Sequence, residues 1–262
     1  MNLLTFVRER VSLLVHYSLG IIGLNGDDII LTSFPKSGNT WIRFFLCNLV
    51  SLKEWDGDTV TFARLDATMP ELGVSNLLEA WPHDTIPRVV KTHKPFWPSF
   101  AGKRTVLLIR DPRDVMVSYY HFEQNKRRGR SESDFSSFIR QPKYGLKAWC
   151  QHYQSWVDKA TVCLRYEKLK EDDVKEFSRM LEAIGIEVSR SLIEQAARRS
   201  RLKNVRSVEK EHGVRTTGNY FKKGKRFTRK GRTGEWKDYF AEGDIEYYDQ
   251  LMDKYSIDIY RK

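Results

Sequence analysis

Short apolar runs alternate along this chain with longer stretches of helical period. Residues 29–34, 88–92, 105–109 and 161–166 are brief, rich in Val, Ile and Leu, and read as strands. Apolar residues recurring three and four apart predict helices over 40–52, 112–122, 144–159, 172–184 and 189–200, with a last one near 244–254. Strands without polar alternation, separated by helices, imply parallel βαβ units covered on both faces. The predicted fold class is therefore α/β: a single domain with a central parallel β-sheet flanked by helices. Ligands of such sheets sit beyond the carboxyl ends of the strands. Lys36, His93, Arg110 and Tyr166 all fall at or just past such an end.

The first predicted strand runs into Thr32-Ser33-Phe34-Pro35-Lys36-Ser37-Gly38-Asn39-Thr40-Trp41, a small-residue turn that opens a helix. Free N–H groups and the helix dipole make such a junction a cradle for an anion. Lys36 adds a full positive charge, and Ser37, Asn39 and Thr40 add short polar groups. A Walker loop places glycine directly before its lysine. Here Pro35 precedes Lys36 and the glycine follows, which argues against a P-loop kinase.

Composition sharpens this picture in one place. The chain has 262 residues, enough for one sizeable domain, and a formal net charge of +11. Between residues 198 and 232 there are fourteen Lys/Arg against two acids, so one segment carries the whole basic excess. That segment ends in a glycine-rich, basic stretch, 212–232, of the kind that forms a lid or binding loop. It implies an anionic partner; alone it fits a nucleic-acid patch or a solvated charge run as well. Cys47, Cys150 and Cys163 are widely spaced with no C-x-x-C pair, which suits a reducing compartment and argues against a disulfide scaffold or a zinc site. Residues 1–24 have Leu3, Leu4, Val7, Val11, Leu14 and Val15 on one helical face. The segment is expected to be an amphipathic helix packed on the domain or on a membrane surface, since its apolar part is short for a span. The domain proper is then 25–262.

Three further stretches carry chemistry. Val106 to Tyr120 reads as a strand ending at Arg110, then Pro112 at the first turn of a helix, then Ser118 about two turns on. Arg110 and Ser118 can grip a phosphate together, or Arg110 can pair with Asp111 or Asp114. Lys91-Thr92-His93-Lys94-Pro95 ends a strand in an imidazole that suits a general base, although an isolated histidine there also suits a structural role. Arg229-Lys230-Gly231-Arg232-Thr233-Gly234-Glu235-Trp236-Lys237 is a basic loop whose glycines let backbone amides approach an anion.

Set side by side, these motifs resemble those of the cytosolic-type sulfotransferases that use 3′-phosphoadenosine 5′-phosphosulfate (PAPS). Pro35 to Trp41 is similar to their 5′-phosphosulfate loop, which has a P-loop-like strand–loop–helix form. Arg110 and Ser118 are similar to the 3′-phosphate pair, and 229–237 to the C-terminal signature. Three signatures in the right order span residues 32–237. The resemblance implies that Pro35, Lys36, Ser37, Gly38, Asn39, Thr40, Trp41, Arg110, Ser118, Tyr166, Ser200, Arg229, Lys230 and Gly231 bind the donor. It implies His93 as catalytic base, kept neutral by nearby Lys36 and Lys91, with Lys36 steadying the leaving group and Lys91 the sulfuryl oxygens. Trp41 and Tyr166 would flank the adenine, though both also suit a core. Ser200 is a weaker match, because Ser-Arg-Leu replaces the family's Thr-Ser-Phe. The implied reaction is in-line sulfuryl transfer to a hydroxyl or amine, with no metal and no nucleic acid. Small phenols or alcohols compete with glycans or glycolipids as acceptors. The expected compartment is the cytoplasm, with peripheral membrane contact through 1–24. The family's dimer motif is degraded at Ala241 and Glu242, so no dimer is inferred.

Overall fold

The computed structural model describes residues 20–127, 134–214 and 221–261. Four strands, β1 (Ile29–Ser33), β2 (Val89–Thr92), β3 (Thr105–Ile109) and β4 (Val162–Arg165), form one parallel sheet in the order β2-β1-β3-β4. Every residue of β1 and β3 is buried, as central strands covered on both faces require. The register pairs Leu31 with Lys91 on one side and with Val106 on the other.

Alternation along the strands divides the core into two layers. Ile29, Leu31, Val106, Leu108 and Leu164 face a cluster supplied by helices α1 (Asn39–Glu54), α7 (Asp173–Ala183) and α8 (Arg190–Ser200). In it Phe45 and Phe177 stack at 3.8 Å. Ile30, Val90, Leu107 and Ile109 face the opposite cluster, built on α3 (Pro112–Asn125), α5 (Leu146–Trp156) and α10 (Glu242–Lys254), with Trp149, Trp156 and Tyr248 fully buried. At the amino end of the sheet Arg88 forms a buried pair with Asp28 at 2.8 Å and also donates to Leu77 O and Gly23 O.

All four predicted strands are present. Tyr166, placed at the end of the last one, instead opens a short helix, α6 (Tyr166–Glu171). Three more helices fall where none was expected: α2 (Phe62–Thr68), α4 (Phe135–Ile139) and α9 (Leu202–His212). The last occupies the first half of the basic segment. Its buried side holds Val205 and Glu209, while Lys203, Arg206 and Lys210 face solvent. Most of the amphipathic segment expected over 1–24 lies outside the described residues. Among those described, no helix is long and apolar enough to cross a membrane.

The chain passes from β1 out to β2 and then returns to β3 on the other side of β1. This reversal opens a crevice at the carboxyl ends of β1 and β3, and all the signature loops empty into it.

Candidate active site

A cleft of about 810 Å³ lies across the carboxyl edge of the sheet. At its centre β1 gives way to the turn before α1. Lys36 has φ 70° and Gly38 φ 107°, so two residues in the left-handed region bend the chain beneath the helix start. No side chain caps α1; the Trp41 N–H turns back to Gly38 O at 2.9 Å, and the open helix start is of the kind that receives an anion. A Cβ on Gly38 would lie 2.7 Å from the Tyr166 ring, so glycine is needed for space as well as for φ.

The Lys36 ammonium lies 3.9 Å from the Phe122 ring centroid and 4.6 Å from that of Phe227. Burial, with Arg110, Lys126 and Arg229 nearby, brings its pKa down to about 7. Past β3, the buried Arg110 donates to Arg232 O at 2.8 Å and to Lys36 O at 3.4 Å, and stacks over Tyr166 at 4.6 Å. Asp111 is taken by Arg113 at 2.7 Å, so of the two acids that could neutralise Arg110 only Asp114 remains, at 4.0 Å. Ser118 lines the same cleft two turns along α3.

His93 follows β2. Its Nδ1 lies 2.7 Å from Ser33 O, and a carbonyl only accepts, so Nδ1 carries the proton and Nε2 keeps a lone pair. The His93 pKa falls to about 3. Burial is the largest cause, followed by Lys91, with Arg43 and Lys36 adding to it. The expectation of a neutral imidazole holds, but removal from water does more than the lysines expected to cause it. Lys91 pairs with Glu71 at 2.8 Å, and burial lowers its pKa despite that partner.

Pro35, Asn39, Thr40, Trp41, Tyr166, Ser200, Arg229 and Gly231 also line the cleft. Trp41 and Tyr166 meet edge to face at 5.9 Å. Ser200 Oγ donates to Ala197 O at 2.9 Å. Two expected residues sit apart from the lining. Ser37 is fully buried behind the turn, and Lys230 is exposed and paired with Glu235 at 2.9 Å. Arg229 spends its two terminal nitrogens on the same Glu235, at 2.7 and 2.5 Å. Sequence reasoning missed Glu71, Glu123 and Lys126, which line the cleft. Glu123 and Lys126, at the end of α3, pair with each other at 2.6 Å. Among the described residues no group of three or more His, Cys, Asp or Glu is placed to hold a metal ion.

Fold and site together define an α/β protein with a basic cleft at the switch point of its sheet. The family model described as "Sulfotransferase domain" matches residues 26–258, and the chain belongs to that family. Dog sulfotransferase 1B1 is 29% identical over 255 residues, covering 87% of this chain and 83% of the relative. Guinea pig sulfotransferase 1E1 is 28% identical over 251 residues, covering 86% and 81%. Among solved structures, retinol dehydratase in complex with retinol and PAP (the 3′,5′-bisphosphate left after PAPS gives up its sulfuryl group) superposes with a TM-score of 0.74. Its identity is 19%, and the match covers 97% of this chain and 88% of that one. A mouse sulfotransferase complexed with PAP gives a TM-score of 0.68 at 22% identity, covering 93% and 91%. At these identities the likeness is one of fold.

Proposed function

We propose that this enzyme transfers a sulfuryl group from PAPS to an acceptor hydroxyl or amine, with His93 as general base. The observation that carries the reading is the shared cleft. The neutral Nε2 of His93, the uncapped start of α1 with Lys36, and Arg110 with Ser118 all line one cavity. The residues present fit the donor. Gly38 and Gly231 make room that a Cβ would fill, against Tyr166 at 2.7 Å and Leu202 at 2.5 Å. Ser37 Oγ, Asn39 Oδ1, Trp41 Nε1, Arg110 Nε and Arg229 Nε are buried without a hydrogen-bond partner.

Pro35 to Trp41 would hold the 5′-phosphosulfate end, and Arg110, Ser118, Arg229 and Gly231, with Lys230 and Ser200 at the margin, the 3′ end. Trp41 and Tyr166 would bound the adenine. When bound, PAPS supplies a sulfuryl group already activated on a phosphate leaving group. His93 Nε2 takes the acceptor proton as the acceptor oxygen approaches in line. With PAPS bound, Lys36 would offset negative charge on the leaving phosphate, and Lys91, paired with Glu71, would offset charge on the sulfuryl group. None of these roles calls for a metal.

Phe44, Tyr119, Phe122 and Phe227 line the cleft and favour a small phenol or alcohol. The retinol and androsterone in complex with solved retinol dehydratase are small alcohols of that kind. Exposed Lys222, Lys223, Lys225 and Arg226 next to the cleft favour the alternative, an anionic glycan. The test is sulfur-labelled PAPS offered with a panel of phenols, alcohols, amines and acidic oligosaccharides. Labelled product with the wild type and at least about a hundredfold less with His93→Ala is expected, the usual scale of a general base. Full turnover by His93→Ala would remove His93 from its role.

A further inference from the structure

The two arms assigned to the 3′-phosphate lie more than a hundred residues apart in sequence, and one side chain joins them. Asp114, in the first turn of α3, is almost fully buried. Its Oδ2 accepts the Gly234 N–H at 2.7 Å and its Oδ1 the Trp236 N–H at 3.1 Å. The same carboxylate stands 4.0 Å from Arg110, one helical turn earlier. Arg110 in turn donates to Arg232 O, so it and Asp114 together clasp both ends of residues 232–236. Gly234 sits at φ 77°, which turns its N–H toward α3 at a corner other residues rarely adopt. Beside it Arg113 lies 3.9 Å over the Trp236 ring. On the loop, Glu235 fixes Arg229 by a two-pronged pair and is held well below the usual carboxylate range, at about 2, chiefly by that hydrogen bonding to Arg229.

We propose that Asp114 is a positioning residue for the 3′-phosphate: it clamps the 229–236 loop onto α3 so that Arg110 and the Arg229–Gly231 arm face one phosphate. The inference rests on the reading of the cleft as a PAPS site. Two roles meet in the carboxylate. As acceptor of two backbone N–H groups it fixes the loop, and as an anion one turn from Arg110 it limits where that guanidinium can point. Asparagine has the same shape, keeps one acceptor, loses the charge and turns an NH₂ toward the second N–H.

Titration calorimetry on the whole protein with PAP and with 5′-AMP, which lacks the 3′-phosphate, tests this. Asp114→Asn is expected to weaken PAP at least about tenfold while changing 5′-AMP less than about threefold. In an Arg110→Ala background the same substitution is expected to cost PAP measurably less than in the wild type, because one of its two roles acts through Arg110 while the clamp on the loop remains. Equal losses for PAP and 5′-AMP, or additive losses in the double variant, would overturn the proposal in favour of a merely structural role. Should Asp114→Asn not fold, amide exchange of the wild type decides. Gly234 and Trp236 are expected to exchange at least about a hundredfold more slowly than Lys223 in the exposed part of the loop, and equal exchange rates overturn the clamp. A wild type that does not prefer PAP over 5′-AMP sinks the donor reading instead.

Discussion

At His93, which lines the cleft, the hydrogen bond to Ser33 O selects the Nδ1–H tautomer, the rarer of the two for a free imidazole, and leaves Nε2 with the lone pair. With the pKa brought down to about 3, chiefly by burial, the ring stays neutral throughout the working range of an enzyme. Nitrogen-15 NMR of the ring is therefore expected to show a neutral Nδ1–H imidazole at pH 6; a protonated ring there would contradict the assignment. Lys36 makes the complementary case. Its pKa of about 7 in the free cleft is a consequence of burial among cations. A bound polyanion reverses that field and raises the pKa. Between the free and bound values binding takes up a proton, so affinity falls as pH rises above about 7, and below it this group adds no pH dependence. Calorimetry of PAP binding near pH 8.5 in buffers of different ionisation enthalpy is expected to show uptake approaching about one proton, absent in Lys36→Met. Equal heats in all buffers would contradict it. His93, Lys36 and Arg110 were legible because each closes a strand. The Glu235 that neutralises Arg229 and Lys230 was not, because which partner a loop arginine chooses depends on three-dimensional contacts.

Among the elements, α1 starts without a side-chain cap, as α5, α6 and α9 also do, while Asp111, Asp172 and Ser189 cap α3, α7 and α8 with side-chain oxygens. α1 differs from the other uncapped helices in opening from the glycine turn that lines the cleft. Leaving those N–H groups open costs stability at the place where an anion restores it. Gly38→Ala is expected to weaken PAP binding at least about tenfold by displacing Tyr166, with a stability loss of about 1–2 kcal/mol from the left-handed backbone. Denaturant melts and titration calorimetry check both, and unchanged affinity would refute the close approach. Phe177→Ala, which removes the ring stacked on Phe45, is expected to cost about 3–5 kcal/mol without changing ligand selectivity. The strands were readable because their apolar runs are continuous. Helices α2, α4 and α6 were not, since five to seven residues are too few to display a helical period. α9 was hidden by charge: Val205 and Glu209 face inward while its basic residues face out, so the stretch reads as solvated loop. Glu209 accepts from Phe227 N at 2.6 Å and Thr228 N at 3.0 Å, which turns that helix into a support for the loop over the cleft.

For the molecule as a whole, the parallel sheet brings four distant segments to one edge, where Arg201, Lys203 and Arg229 of the basic segment line the cleft. A ligand that bridges the segments links them thermodynamically. PAP at about a hundred times its dissociation constant contributes about 2.7 kcal/mol. For a chain of this size that raises Tm by roughly 5–10 °C. Single-stranded DNA, held only by the exposed charges, is expected to give no comparable rise, and an equal rise would favour a general polyanion surface. The central claim is that one cleft recognises a nucleotide by both its phosphates. The most direct measurement is titration calorimetry of PAP against 5′-AMP on the wild type and Arg110→Ala. A preference for PAP of at least about a hundredfold, collapsing to within about tenfold in the variant, is the predicted result. Equal affinity of the wild type for the two nucleotides would contradict it.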